Sequence, residues 1–241
     1  MKYSWSLLLL LISGIVLGQP LIHAHNDYQQ PEPLTHALRY KVFSLEVDVF
    51  LYHNRLVVAH DKKELPAAVL LDSLYLKPII QLFKLHDGRI SSDPHYAPVL
   101  MIDIKEKAEE VLPELLLLLQ PYRFVFDQSV NKQAVQIVIS GDRGPIAAWS
   151  AYAPLLFFDG RPNEVYDPAT LQRVAFISDS YASYRNNADS IRQVVTKIHG
   201  LHKLFRLWGS PDTATDWKQL LQWGIDILNT DKVAECRESF N

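Results

Sequence analysis

Short, almost continuous apolar runs alternate along this chain with longer stretches of helical spacing. The β-rich runs predict strands over 21–25, 43–51, 99–104, 135–140, 155–159, 174–178, 204–208 and 225–229. One more run, 56–60, reads as a continuation of the second strand after a turn at His53 and Asn54, which leaves eight strands. Between them, 107–119 is rich in Glu and Leu, 188–198 has helical spacing, and 215–223 opens behind the cap-like Asp212 and Thr213. Apolar strands alternating with helices indicate a parallel sheet with helices outside it. Eight such units predict an α/β chain folded as a single (β/α)8 TIM-type barrel. A doubly wound open sheet is the structural alternative, but no Gly-rich phosphate loop follows any of the strands. Residues 87–98 are expected to form an irregular loop, and no repeat or second-domain linker is visible.

The first residues change the picture of where the barrel begins. Lys2 precedes an apolar stretch over 7–17, interrupted only by Ser13 and Gly14, and Gly18 stands before Gln19 and Pro20. That stretch is short for a bilayer span and has the layout of a cleavable secretory signal over 1–18. The expected product is an exported barrel over 19–241, periplasmic or extracellular, with an uncleaved anchor as the alternative. The net charge of −3 and the dispersed basic residues give no reason to expect nucleic-acid binding. Cys236 is the only cysteine, which rules out an internal disulfide and, near the C-terminus, argues against a catalytic thiol.

Candidate chemistry lies where polar residues break the strand pattern, because a TIM barrel carries its reactive groups at the C-terminal strand ends. The first strand ends His23-Ala-His25-Asn26-Asp27, the second carries Glu46 and Asp48, and its continuation ends His60-Asp61. The third ends Asp103-Ile-Lys105. Strand alternation puts Glu46 and Asp48 on one face of their strand, and Asp103 and Lys105 share a face in the same way. Three carboxylates at one barrel mouth repel one another unless a cation neutralises them. An oxygen-only donor set, with Asn26 adding an amide oxygen, suits a hard divalent cation, Ca2+ or Mg2+. Blander readings exist for each piece: an exposed edge strand for Glu46 and Asp48, an ion pair for Asp103 and Lys105. Their joint occurrence on three consecutive strands favours a site.

The motifs are similar to those of the phospholipase C-like phosphodiesterase superfamily. His25-Asn26-Asp27-Tyr28 resembles the Ser-His-Asn-Thr-Tyr opening of phosphoinositide-specific phospholipase C. Glu46-Val-Asp48 followed by His60-Asp61 resembles the Glu-x-Asp … His-Asp signature of glycerophosphodiester phosphodiesterases. Ile102-Asp103-Ile104-Lys105 resembles that family's Ile-Glu-Ile-Lys, and Arg206-Leu-Trp208 and Asn229-Thr-Asp231 resemble the superfamily's last two strands. The branch nearest in pattern is that of the altered inheritance of mitochondria protein 6 family. The resemblance implies His25 and His60 as the acid–base pair, Glu46, Asp48, Asp103 and Asn26 as cation ligands, and Lys105 on the phosphate. The substrate it implies is a glycerophosphodiester or phospholipid-type headgroup, a small molecule or one met in transient contact with a membrane surface. The sequence departs from the glycerophosphodiesterase pattern where His-Arg-Gly is replaced by His25-Asn26-Asp27, and where Pro-Glu-Asn-Thr survives as Pro31-Glu-Pro-Leu.

Three further residues stay open at this stage. His23 shares a face with His25 and either contacts substrate or is a satisfied core histidine. Arg206 and Trp208 are candidates to line the pocket at the end of the seventh strand, although Trp208 equally suits packing. Two other functions are weighed against the phosphodiesterase. An amidohydrolase-like barrel would open with His23-x-His25, but it recruits later histidines, and none occurs between His95 and His199. An inactive, exported lipid- or sugar-binding barrel would not need two histidines, three carboxylates and a lysine. No protein partner is legible.

Overall fold

The computed structural model describes residues 19–152, 154–184 and 187–241. The expected signal segment at 1–18 lies outside the described residues. Parallel strands β1 (Leu21–Ala24) and β2 (Ser44–Tyr52) open the chain, with the short helix α1 (Thr35–Arg39) between them. A hairpin follows, β3 (Arg55–Val58) and β4 (Val69–Leu70), and then α2 (Lys77–Leu85). After β5 (Val99–Ile104) come α3 (Ala108–Leu119), α4 (Arg123–Phe126), β6 (Gln136–Gly141), β7 (Leu156–Gly160) and α5 (Pro168–Leu171). The last units are β8 (Val174–Ser180), α6 (Ala188–Gly200), β9 (Phe205–Trp208), α7 (Ala214–Gln222), β10 (Ile227–Thr230) and α8 (Val233–Glu238).

Eight of these strands pair in parallel in the order β1-β2-β5-β6-β7-β8-β9-β10, and β10 pairs back with β1 to close a (β/α)8 barrel. The seam at β1 and β2 is short, joining His23 to Ser44 and Ala24 to Leu45. One expectation needs correction. The run that begins at residue 55 does not carry β2 onward; it turns back as β3, antiparallel to the far half of β2, with Val49 opposite Val58. His53 and Asn54 both have positive φ, 49° and 57°, the conformation of the two-residue hairpin turn that matches strand twist. The reversal brings His60 back beside β2 instead of carrying it away from the barrel. Helix α2 was not expected; its Ile79, Ile80 and Phe83 are buried.

Alternation along each strand divides the interior in two. Outward residues such as Val47, Ile102, Ile139, Phe158 and Leu207 form one core with helix residues such as Leu115, Ile191 and Trp217. Inside the barrel, Val99, Met101, Val138, Phe176 and Ile227 form an apolar floor, closed by the partly buried Leu21, Phe43, Phe157 and Leu204. Helix starts are capped by side chains that accept from the first free N–H groups: Asn187 at α6, Thr213 at α7 and Asp167 at α5. Among the described residues no helix is long and apolar enough to cross a membrane.

Candidate functional site

Above the apolar floor, the next inward positions are polar. The β2 and β5 register sets Glu46 beside Met101 and Asp48 beside Asp103, and Asp103 beside Ser140 of β6. A middle layer forms around Arg206. Its Nη1 donates to Glu46 Oε2 at 3.1 Å and Asn229 Oδ1 at 3.0 Å, and lies 2.6 Å from His23 Nε2. Its Nε donates to Ser178 Oγ at 3.0 Å and its Nη2 approaches Asp159 Oδ2 at 3.4 Å. His23 also meets Glu46 Oε2 at 2.7 Å and Ser44 Oγ at 2.6 Å. Burial, together with the Arg206 charge, lowers the His23 pKa to about 4, so the ring is neutral near pH 7. Burial alone would raise Glu46, but its contacts with His23 and Arg206 hold its carboxyl below the usual range.

The top layer is open to the mouth. Asp48 is fully buried, and its Oδ2 accepts from Tyr28 Oη at 2.9 Å and Lys105 Nζ at 2.7 Å, with His60 Nδ1 at 2.8 Å. Its Oδ1 is buried without a partner among the described residues. Lys105 reaches Asp103 Oδ1 at 3.2 Å as well. Burial and the Glu46 and Asp48 carboxylates push Asp103 up to about 6, against the pull of Lys105. His25 Nδ1 stands 2.7 Å from Asp231 Oδ1. An ionised carboxylate only accepts, so both His25 and His60 present N–H at Nδ1 and leave Nε2 as the reactive nitrogen of the neutral ring.

Local structure explains how these side chains arrive. Asn26 adopts a left-handed φ of 47°, turning the chain directly after β1. Asp27 then anchors the following loop: its Oδ2 accepts from the Leu34 N–H and from Tyr75 Oη, each at 2.7 Å. The backbone of His60 donates to Glu64 Oε2 at 2.8 Å, and Asp61 and Glu64 form a capping box that fixes the turn. At the opposite rim, Arg161 stacks over Trp208 at 4.8 Å and pairs with Asp159 Oδ2 at 2.8 Å.

The structure therefore gathers His25, His60, Asp48, Asp103 and Lys105 at one mouth, and sets Glu46 just below. Arg206, a candidate to line the pocket, and His23, left open between a substrate contact and a satisfied core histidine, both lie beneath the mouth and are almost fully enclosed. Trp208 is at the mouth, half-buried under Arg161. Sequence reasoning missed Asp231, Tyr28 and Arg161. Asp231 and Arg161 each stand two positions beyond an inward residue, Asn229 and Asp159, so strand alternation carried the signal.

The donor set fits a divalent cation in two respects: an orphaned, buried carboxylate oxygen on Asp48, and an Asp103 carboxyl raised by burial and then by its acidic neighbours. As they stand, no group of three or more His, Cys, Asp or Glu side chains among the described residues is arranged as a ligand cluster. Lys105 and Arg206 take up part of the carboxylate charge.

Comparison with known proteins gives the family. The AIM6-like phosphodiesterase domain matches residues 16–144, more than half of the chain. This chain belongs to the AIM6-like phosphodiesterase family. An "Altered inheritance of mitochondria protein 6 homolog" of Arthroderma benhamiae is 30% identical, over 91% of this chain and 83% of its own length. The Eremothecium gossypii protein of the same name is 27% identical, over 87% of this chain and 67% of its own. Among solved structures, a glycerophosphodiester phosphodiesterase from Parabacteroides distasonis superposes with a TM-score of 0.60 at 15% identity, covering 91% of this chain and 96% of its own. A Ca2+-dependent phosphatidylinositol-specific phospholipase C from Streptomyces antibioticus gives 0.57 at 14%, covering 90% and 95%. At such identities the likeness shows the fold, a (β/α)8 barrel that the AIM6-like chain shares with them.

Proposed function

We propose that this AIM6-like barrel is a metal-dependent phosphodiester hydrolase, acting on a glycerophosphodiester or phospholipid-type headgroup by paired histidine acid–base catalysis. The observation that carries the reading is the matched tethering of His25 and His60. Each holds a carboxylate at Nδ1, at 2.7 Å and 2.8 Å, over a mouth that also holds Lys105. One histidine, with its Nε2 free, takes the proton of the attacking hydroxyl or water, and the other, entering the step as the imidazolium with a proton on Nε2, gives it to the leaving alkoxide. Lys105 compensates charge that grows on the non-bridging oxygens. Asp48 and Asp103, with Glu46 and Asn26, would hold Ca2+ or Mg2+, which supplies further charge neutralisation at the same oxygens. Two neighbours in fold support the substrate class: the phospholipase C above, and an Oleispira antarctica phosphodiesterase solved with its product sn-glycerol-3-phosphate (TM-score 0.58, 13% identity).

The test is hydrolysis of bis(p-nitrophenyl) phosphate by the barrel over 19–241, with EDTA and with Mg2+ or Ca2+ restored. Loss in EDTA and recovery with one cation is the expected result. His60→Ala should lower turnover by about 100-fold or more with the fold intact by circular dichroism. Near-normal turnover in that variant would remove His60 from the mechanism, and turnover indifferent to EDTA would count against the cation.

A further inference from the structure

Arg161 is a cation at the mouth that the acid–base reading leaves unused. It follows β7, and the order of strands around the ring puts β7 opposite β1, so Arg161 and His25 follow strands on opposite sides of the ring. Its Nη1 pairs with Asp159 Oδ2 at 2.8 Å and donates to the Gly160 carbonyl at 2.8 Å. Nη2 has only Ser140 Oγ at 3.4 Å, a length at which a hydrogen bond is weak, and Nε has no partner among the described residues. The side chain is 19% exposed. Three of its five N–H donors are therefore nearly uncommitted at the edge of the mouth.

The surroundings decide what those donors can receive. An indole face is the best aromatic site for a quaternary ammonium, but this guanidinium already covers the Trp208 ring at 4.8 Å. A second positive charge here would meet the like charge of Arg161, and the carboxylates that act on that charge are already paired: Asp159 with Arg161 and Arg206, Glu164 with Arg143, and Asp103 with Lys105. Asp159 is fully buried and already shared by Arg161, Arg206, Ser140 and Ser178. Asp179, the next acid along this rim, pairs in register with the outward Leu207 and accepts from Tyr184 Oη at 2.7 Å, away from the mouth. A hydroxyl group meets no such obstacle and completes the free N–H donors. Because Asp159 balances the Arg161 charge, a second anion is not required either.

We propose that Arg161, seated on Trp208, is a specificity-determining residue: it donates to an uncharged, hydroxyl-bearing group attached to the phosphate and excludes one carrying a quaternary ammonium. The placement of the phosphate near His25 and His60 rests on the phosphodiesterase reading. Calorimetric titration of the barrel with sn-glycerol 3-phosphate and with phosphocholine tests the preference, since both carry the same phosphate. Wild type should bind the glycerol ester about tenfold tighter, and Arg161→Gln should bring the two affinities within about twofold. Arg161→Lys, which keeps the charge but loses the fork of donors, should recover only part of the difference. Thermal unfolding of each variant checks that the fold is retained. Equal wild-type affinities, equal weakening of both ligands in Arg161→Gln, or binding of neither would overturn the proposal. A protein that shows the predicted ratio but hydrolyses no diester would sink the phosphodiesterase reading alone. One that cleaves bis(p-nitrophenyl) phosphate yet holds phosphocholine as tightly as glycerol 3-phosphate would sink the Arg161 inference alone.

Discussion

His23 and His25 stand two residues apart, one within β1 and the other just past its end, yet their surroundings differ. His25 is one-third exposed with one carboxylate partner, whereas His23 is enclosed among Arg206, Glu46 and Ser44. Burial lowers the folded His23 pKa to about 4 from 6.5, so the unfolded chain binds the extra proton. The sign follows: the stabilisation from neutral His23 is fully present above pH 6.5 and is lost as pH falls from there towards 4. The His23 share of that loss is on the order of 3 kcal/mol, and the difference between the wild-type and His23→Gln urea-unfolding profiles across those limits should show it. Glu46, held low by the same neighbours, withdraws its own contribution only below its ordinary carboxylate range. Asp103, raised to about 6, works in the opposite sense over the same window, so a His23→Gln profile that superimposes on the wild-type one from pH 6.5 to 4 would overturn the neutral assignment. For His25 the corresponding prediction concerns Asp231. If that carboxylate sets which nitrogen is reactive, Asp231→Asn should lower kcat by about tenfold to a hundredfold and leave KM nearly unchanged. A change in KM alone would make Asp231 a substrate contact.

Strands and their turns deliver these residues, and here close backbone approach sets a limit. Gly141 ends β6 with φ of +66°, and a Cβ there would lie 2.4 Å from the Ile104 carbonyl and 2.6 Å from Asp103 Oδ1. Gly141→Ala should therefore displace Asp103 and Lys105, with a stability cost of about 1–3 kcal/mol and a loss of turnover. Thermal unfolding and a bis(p-nitrophenyl) phosphate assay check both; an unchanged variant would mean that β5 and β6 separate more easily than their register suggests. The barrel strands were legible from sequence to within two residues, because fully buried parallel strands are apolar runs. The hairpin was harder. A turn at His53 and Asn54 is visible in sequence, but whether the chain continues or reverses depends on two consecutive positive φ values, 49° and 57°. Helix α2 escaped notice for another reason: it grows out of a π-helical turn, Asp72–Leu76, that breaks the helical spacing at its start.

Across the whole molecule, the polar layer over the apolar floor acts as a clasp. From β9, Arg206 reaches side chains on β1, β2, β7, β8 and β10, so one guanidinium ties together most of the ring. Removing it leaves Glu46 and Asp159 buried without their shared cation. Arg206→Met should cost about 3–5 kcal/mol in urea unfolding, well beyond the price of a surface ion pair. A cost below about 1 kcal/mol would show that the layer relaxes or admits water.

The apolar periodicity of the chain was enough to determine an eight-stranded barrel, since burying both faces of a parallel sheet demands such runs, and strand alternation put Glu46, Asp48, Asp103 and Lys105 inside it. Sequence also brought His25 and His60 forward as polar breaks at strand ends. Depth within the barrel was decided only by the tertiary structure. Inward residues look alike in sequence whether they stand at the rim or one layer down, yet one strand step separates enclosed Arg206 from half-open Trp208. Partners were decided there too: Asp231 meets His25 across 206 positions of chain, a pairing that exists only because β10 closes on β1.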